Sequence, residues 1–231
     1  LPHLPDVDSR EAMNLLLEDL LDLPQVALPP EWAAELLVPR APEIESQITA
    51  KRAEIDALNQ QIVRLEKEKG DLVWCRKLLY ESGTELERVF SDCLAKLGGQ
   101  ITPATYSQEE FVLEFEGMRS LVECKGVSKS ASLAHVRQLT SYTLQYEEDE
   151  GASGRGILFV NAWRDLHPGR RESDGTPAFP PNVISAAEQR GIALLSSTEF
   201  FRAYCEFLAG RFEGAAILRR LSSSTGVVTF P

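Results

Sequence analysis

The stretch "RGILFVNA", residues 155–162, constrains the fold more than any other part of the chain. Successive side chains of a strand point to opposite faces, and Ile157, Leu158, Phe159 and Val160 leave neither face polar. A strand apolar on both faces belongs in a sheet covered on both sides, as in α/β proteins. The neighbouring segments supply the covers. "TELERVFSDCLAKLGG" (84–99) opens on Thr84 as an N-cap, keeps Leu86, Val89, Phe90, Leu94 and Leu97 on one face, and stops at Gly98-Gly99. "EEFVLEFE" and "RSLVECK" read as two strands joined by a hairpin turn at Gly117-Met118. "SASLAHVRQLTSYTLQYEEDE" is a helix whose end dissolves into an acidic, glycine-containing loop. "PNVISAAEQRG" follows as a helix, "IALLS" as a strand, and "STEFFRAYCEFLAG" as a helix with a Ser-Thr start. The expected order from Thr84 is α-β-β-α-β-α-β-α, with one more strand near residues 100–105. That is a mixed α/β (α+β) domain of three layers, a central mixed sheet flanked by helices.

Two segments of different grammar precede this domain, which is expected over 81–231. Residues 1–43 are acidic and punctuated by proline ("LPHLPDVD", "LPQVALPPEW", "VPRAPE"). Proline forbids one long helix there, and the segment reads as a partly ordered linker. Residues 44–80 lack proline and place Ile55, Leu58, Ile62, Leu65 and Leu72 close to a heptad seam, on which Lys51 and Lys69 also fall. The pattern fits a helical hairpin, a dimeric coiled coil or a single helix packed on the next domain. Self-association is the expectation, as a homodimer or with a partner subunit held through this coiled-coil-like arm.

Charge sorts the candidate partners. A net charge of -11 taken alone argues against nucleic acid, whose backbone is bound through Lys and Arg. The distribution reverses that argument. Residues 1–124 hold 12 Lys and Arg against 24 Asp and Glu, whereas residues 125–231 hold 12 against 11. A locally basic cleft is therefore compatible with the later part. No apolar run approaches the roughly 20 residues of a membrane span, and the start lacks a basic-then-apolar signal pattern, so a cytoplasmic protein with no membrane partner is expected. Cys75, Cys93, Cys124 and Cys205 are scattered without a CxxC pair and read as reduced core thiols rather than zinc ligands. No GxxxxGK[ST] occurs, which removes P-loop nucleotide hydrolysis.

The chemistry concentrates in "RSLVECKGVSK" (119–129), where Glu123 and Lys125 end an apolar strand and project to the same face. Burying an unpaired charge is costly, so such a pair is either a satisfied ion pair or a site that holds an ion. Glu87 lies on the preceding helix, Glu110 begins the first hairpin strand, and Gln138 and Tyr142 stand four apart on one face of the following helix. In this order "GTELE", "EEF", "VECKG" and "QLTSY" resemble the PD-(D/E)xK nuclease superfamily, with its restriction-endonuclease-like core, and within it the RecB-type branch with a Q-xxx-Y helix. "ILFVNAWRDLHPGRRE" and "FPPNVISAAEQRGIALLSSTEFF" are similar to the later part of bacterial members, so the resemblance covers about residues 79–209.

The resemblance implies a metal-dependent nuclease hydrolysing phosphodiester bonds of DNA, an endonuclease, in repair, restriction or phage defence; an RNA substrate stays open. It implies Mg²⁺, with Mn²⁺ substituting, held by Glu110, Glu123, the backbone carbonyl of Cys124 and Glu87. Lys125 would orient water or stabilise transition-state charge, Gln138 would position a phosphate or Lys125, and Tyr142 would lie on the substrate side or only support the helix; Arg164 is a candidate substrate contact from its place in the loop after the buried strand. One departure stands out: the family carries Asp where this chain has Glu109-Glu110, and either could be the ligand. The other reading of the same residues is a catalytically silent nuclease-fold module that recruits nucleic acid or protein partners. Arg164, Arg170 and Arg171 are either phosphate contacts or a solvated basic loop, and His135 is read as structural.

Overall fold

The computed structural model describes Met13 and residues 29–103, 111–151, 153–172 and 175–231. Glu109 and Glu110 lie outside the described residues, as does most of the expected linker. The chain divides into two compact units, Leu1–Arg64 and Leu65–Pro231. In the first, a short 3-10 turn, Glu31–Glu35, follows Pro30. Helix α1 then runs unbroken from Ala41 to Val73, 33 residues, so the hairpin alternative is not formed. Pro42 sits in its first turn, where the missing N–H costs nothing.

The second unit is built on one six-stranded sheet whose spatial order follows the chain: β1 (Gln100–Pro103), β2 (Phe111–Phe115), β3 (Met118–Gly126), β4 (Arg155–Asn161), β5 (Ala193–Ser196) and β6 (Gly226–Val227). Strands β1 to β3 are antiparallel, and β3 to β6 are parallel. The helices are α2 (Gly83–Lys96), α3 (Leu133–Glu150), α4 (Pro181–Glu188), α5 (Ser197–Leu208) and α6 (Gly214–Ser223).

Strand β4 alternates as its sequence demands. Ile157 and Phe159 enter a core with residues of α2, α5 and α6, while Leu158 and Val160 enter a second core with α3 and α4. The three-layer architecture expected from the sequence, a central mixed sheet flanked by helices on both faces, is the one the chain adopts. Phe90 of α2 stacks on Phe159 at 3.8 Å between ring centroids and meets Phe200 of α5 edge-on at 4.8 Å. Gly156 lets α3 approach β4, since a Cβ there would lie 3.1 Å from Leu139.

Several expectations need correction. The N-cap of α2 is Ser82, in extended conformation, with Thr84 inside the helix. The hairpin turn is Glu116-Gly117, because both residues have positive φ and Phe115 pairs with Met118, the geometry of a type I′ turn. The packed core reaches back before residue 81, with Cys75 and Leu78 of a 3-10 segment, Trp74–Leu79, buried in it. Helix α6 and strand β6 were not anticipated. Strand β6 is two residues long, too short to show a period, and α6 opens on Gly214 without a capping side chain. Among the described residues no helix is long and apolar enough to cross a membrane.

Candidate active site

Strand β3 carries Glu123 and Lys125 to the end of the parallel part of the sheet. Its Val122 and Cys124 side chains pack into the core shared with α2, so the thiol of Cys124 points away from the Glu123 face and only its carbonyl suits a ligand role. Glu123 is fully buried. Its Oε1 forms an ion pair with the Lys125 ammonium, and its Oε2 has no hydrogen-bond partner among the described residues. Burial pushes the Glu123 carboxyl above the usual carboxylate range; the Lys125 ammonium opposes this, and the charge of Glu87 adds to the upward push. Glu87 of α2 is thus close enough to be felt by Glu123. Lys125 keeps 27% of its side chain exposed, so the pair is buried at the carboxylate and open at the ammonium.

Helix α3 closes the other side. Ser132 and His135 form a capping box at its start, the Ser132 backbone N–H donating to His135 Nδ1 at 3.3 Å. His135 is therefore structural, as expected. Burial and the nearby charge of Lys125 hold its pKa below the ordinary histidine value. One turn on, Gln138 Nε2 donates to the hydroxyl of buried Tyr142, so the two residues of the expected Q-xxx-Y pattern are joined.

A buried polar network, missed by sequence reasoning, fixes the start of α2 against the ends of β3 and β4. Gly126, directly after Lys125, pairs with Asn161 in the parallel ladder. A Cβ on Gly126 would lie 2.7 Å from Ser82 Cα and 2.8 Å from the Glu81 carbonyl oxygen, so only glycine admits the backbone that leads into α2. Asn161 Nδ2 donates to that carbonyl at 2.9 Å, and Asn161 Oδ1 accepts from Ser197 Oγ at 2.9 Å and from Arg171 Nη1 at 2.8 Å. Arg171 also donates to the carbonyls of Leu79 (2.7 Å), Leu166 (2.8 Å) and Arg164 (2.9 Å). Arg171 is thus a buried staple, neither a phosphate contact nor part of a solvated loop. Arg164, expected on the substrate side, donates through Nη1 to Ser82 Oγ at 2.8 Å and so joins the same clamp. The available signal was Asn161, the one polar residue in an otherwise apolar strand end; nothing in the sequence distinguished Arg171 from its charged neighbours.

The structure joins Glu123 to Lys125 on β3, places Glu87 of α2 where its charge acts on Glu123, and joins Gln138 to Tyr142 on α3. Among the described residues, no three His, Cys, Asp or Glu side chains are grouped to hold a metal ion. Glu110, the expected second carboxylate, precedes β2, which pairs with β3 through Phe111 opposite Val122.

No protein-family model matches the chain, and no curated protein matches it. Among solved structures it is similar to restriction endonuclease FokI bound to DNA, at 12% identity and a TM-score of 0.47, over 68% of this chain and 30% of that one. It is also similar to a second structure of that endonuclease (11%, 0.45, 67% of this chain, 30% of that one). A protein of unknown function, AF1548, follows at 17% identity and a TM-score of 0.35, over 48% of this chain and 56% of that one. The chain spans about 30% of the endonuclease's length. Likeness at this level assigns no activity.

Proposed function

We propose that the chain is a metal-dependent phosphodiester hydrolase of the E-x-K type, with a RecB-like Q-xxx-Y helix, cutting DNA. The observation that carries this reading is Glu123, a fully buried carboxylate with one oxygen on Lys125 and the other lacking a hydrogen-bond partner among the described residues. A carboxylate in that state opposes folding, and a hard divalent cation is the partner its second oxygen suits. Mg²⁺ commonly takes only one or two carboxylates, filling its remaining positions with carbonyls, waters and phosphate oxygens. Glu123, the Cys124 carbonyl and Glu87 fit that donor set, and Glu110 would add the second carboxylate. Bound there, the ion would neutralise charge on the phosphate and acidify an attacking water.

The chain's own residues carry the remaining work. Lys125, anchored by Glu123 and open to solvent on its other side, donates to the water or to a phosphate oxygen as negative charge builds. Gln138, fixed by Tyr142, orients Lys125 or a phosphate oxygen. The Asn161–Arg171 clamp holds α2, and with it Glu87, against the strand end; errors of about 1 Å in such placement cost on the order of 100-fold in rate. Repair, restriction or phage defence is the setting such an activity suits.

Calorimetric titration with Mn²⁺ tests the site. Wild type should bind and Glu123→Gln should not. No binding by wild type would favour a silent module that recruits its partners without metal.

A further inference from the structure

Helix α1 leaves an entire apolar seam in solvent. No residue of its 33 is buried, and Ile55 and Leu65 are 55% and 62% exposed. The pattern is a complete heptad. Its a positions are Ile48, Ile55, Ile62 and Lys69; its d positions are Ile44, Lys51, Leu58, Leu65 and Leu72. Seven of these nine seam positions are Ile or Leu. From Ile44 to Leu72 the seam is about 42 Å long, at 1.5 Å per residue.

We propose that α1 pairs with α1 of a second copy as a parallel, in-register, two-stranded coiled coil. Four features of the helix select this occupant. First, β-branched Ile at a with Leu at most d positions is the combination that favours two parallel strands. Second, lysine at a seam position weakens the pairing while fixing its register and strand number. In register, Lys51 meets Lys51 and Lys69 meets Lys69, so two layers are polar. A slip of one heptad sets each lysine against an apolar layer and raises the number of interrupted layers. Third, the Lys51 ammonium is held 2.7 Å from Glu54 at g, and a lysine so held can lay its apolar stem along the seam while its charge stays in solvent. Fourth, the parallel g-to-e′ partners are Gln47 with Arg52, Glu54 with Asn59, and Gln61 with Glu66, none of them a pair of like charges. An antiparallel pairing that layers Ile55 with Leu65 makes two lysine layers as well, Lys51 against Lys69, so the parallel sense rests on Ile at a with Leu at d. The parallel sense makes both copies leave the coiled coil at Val73, at the same end. This inference is independent of the metal site.

Sedimentation equilibrium on the full chain at micromolar concentration should give twice the 25.7 kDa chain mass. The double variant Ile55→Asp/Ile62→Asp should fall to one chain mass. Ile44→Cys and Leu72→Cys, made separately and oxidised, should each give a covalent dimer above the wild-type background from partly exposed Cys205. A monomeric wild type, a trimer or tetramer, or a double variant that stays dimeric would overturn the pairing. Cross-linking at one end of the helix only would overturn the parallel, in-register arrangement.

Discussion

Replacing Arg171 by alanine should unfasten the site without touching any residue that meets substrate. Arg171 is 8% exposed and donates four hydrogen bonds, at 2.7 to 2.9 Å, to Asn161 Oδ1 and to the carbonyls of Leu79, Arg164 and Leu166. Hydrogen bonds from a charged donor are worth about 1.5–3 kcal/mol each. Against their sum stands the cost of burying the guanidinium, several kcal/mol, which the variant recovers. Asn161 Oδ1 retains Ser197, so that acceptor is not stranded. The net loss expected is about 3–4 kcal/mol. Urea unfolding of the full chain at neutral pH, with midpoint and slope fitted for both proteins, gives the figure. Arg171→Lys should recover less than half, because a single ammonium cannot reproduce a planar fork reaching four acceptors. Exposed Arg137→Ala serves as the control and should change stability by under about 0.5 kcal/mol. A loss below about 1 kcal/mol for Arg171→Ala, or full rescue by lysine, would refute the staple.

Gly126→Ala forces a Cβ against the Glu81 and Ser82 backbone, so it should cost about 1–3 kcal/mol by overpacking and displace the start of α2; an unchanged urea midpoint would remove the close-approach argument. Mn²⁺ at 100 times its dissociation constant should stabilise wild type by about 2.7 kcal/mol, measured as a rise in unfolding midpoint, and should leave Glu123→Gln where it was. The Arg88 guanidinium, and then the Lys77 ammonium, hold the Glu85 carboxyl down at about 2. Because the folded pKa lies below the unfolded one, this contribution is present above the ordinary carboxylate range and is lost as pH falls from about 4.5 towards 2. Melting temperatures between about pH 6 and 2.5 should therefore fall more steeply for wild type than for Glu85→Gln, and parallel curves would contradict the pairing.

The layered fold was legible because its central strand is apolar on both faces, a pattern that few architectures accept. The Glu123–Lys125 pair was legible for the opposite reason, two charges closing an apolar strand, and in the structure they share a face and touch. The clamp was not. Asn161, Arg171, Arg164 and Ser82 stand as far as 92 residues from what they hold, as in the bond from Arg171 to Leu79, and no local period relates them. Gly126 could be read only as the end of a strand, since the crowding that requires it comes from residues 81 and 82. Helix α1 shows the reverse limit: its heptad is plain in the sequence, and the structure adds that it runs unbroken with no residue buried.

The account rests most directly on a cleavage assay with plasmid DNA, single-stranded DNA and RNA in Mg²⁺ or Mn²⁺, with EDTA and Lys125→Ala alongside. It predicts metal-dependent cutting of DNA that disappears with EDTA and with Lys125→Ala. Cutting that survives Lys125→Ala, or no cutting of any substrate by a wild type that binds no Mn²⁺, would contradict it.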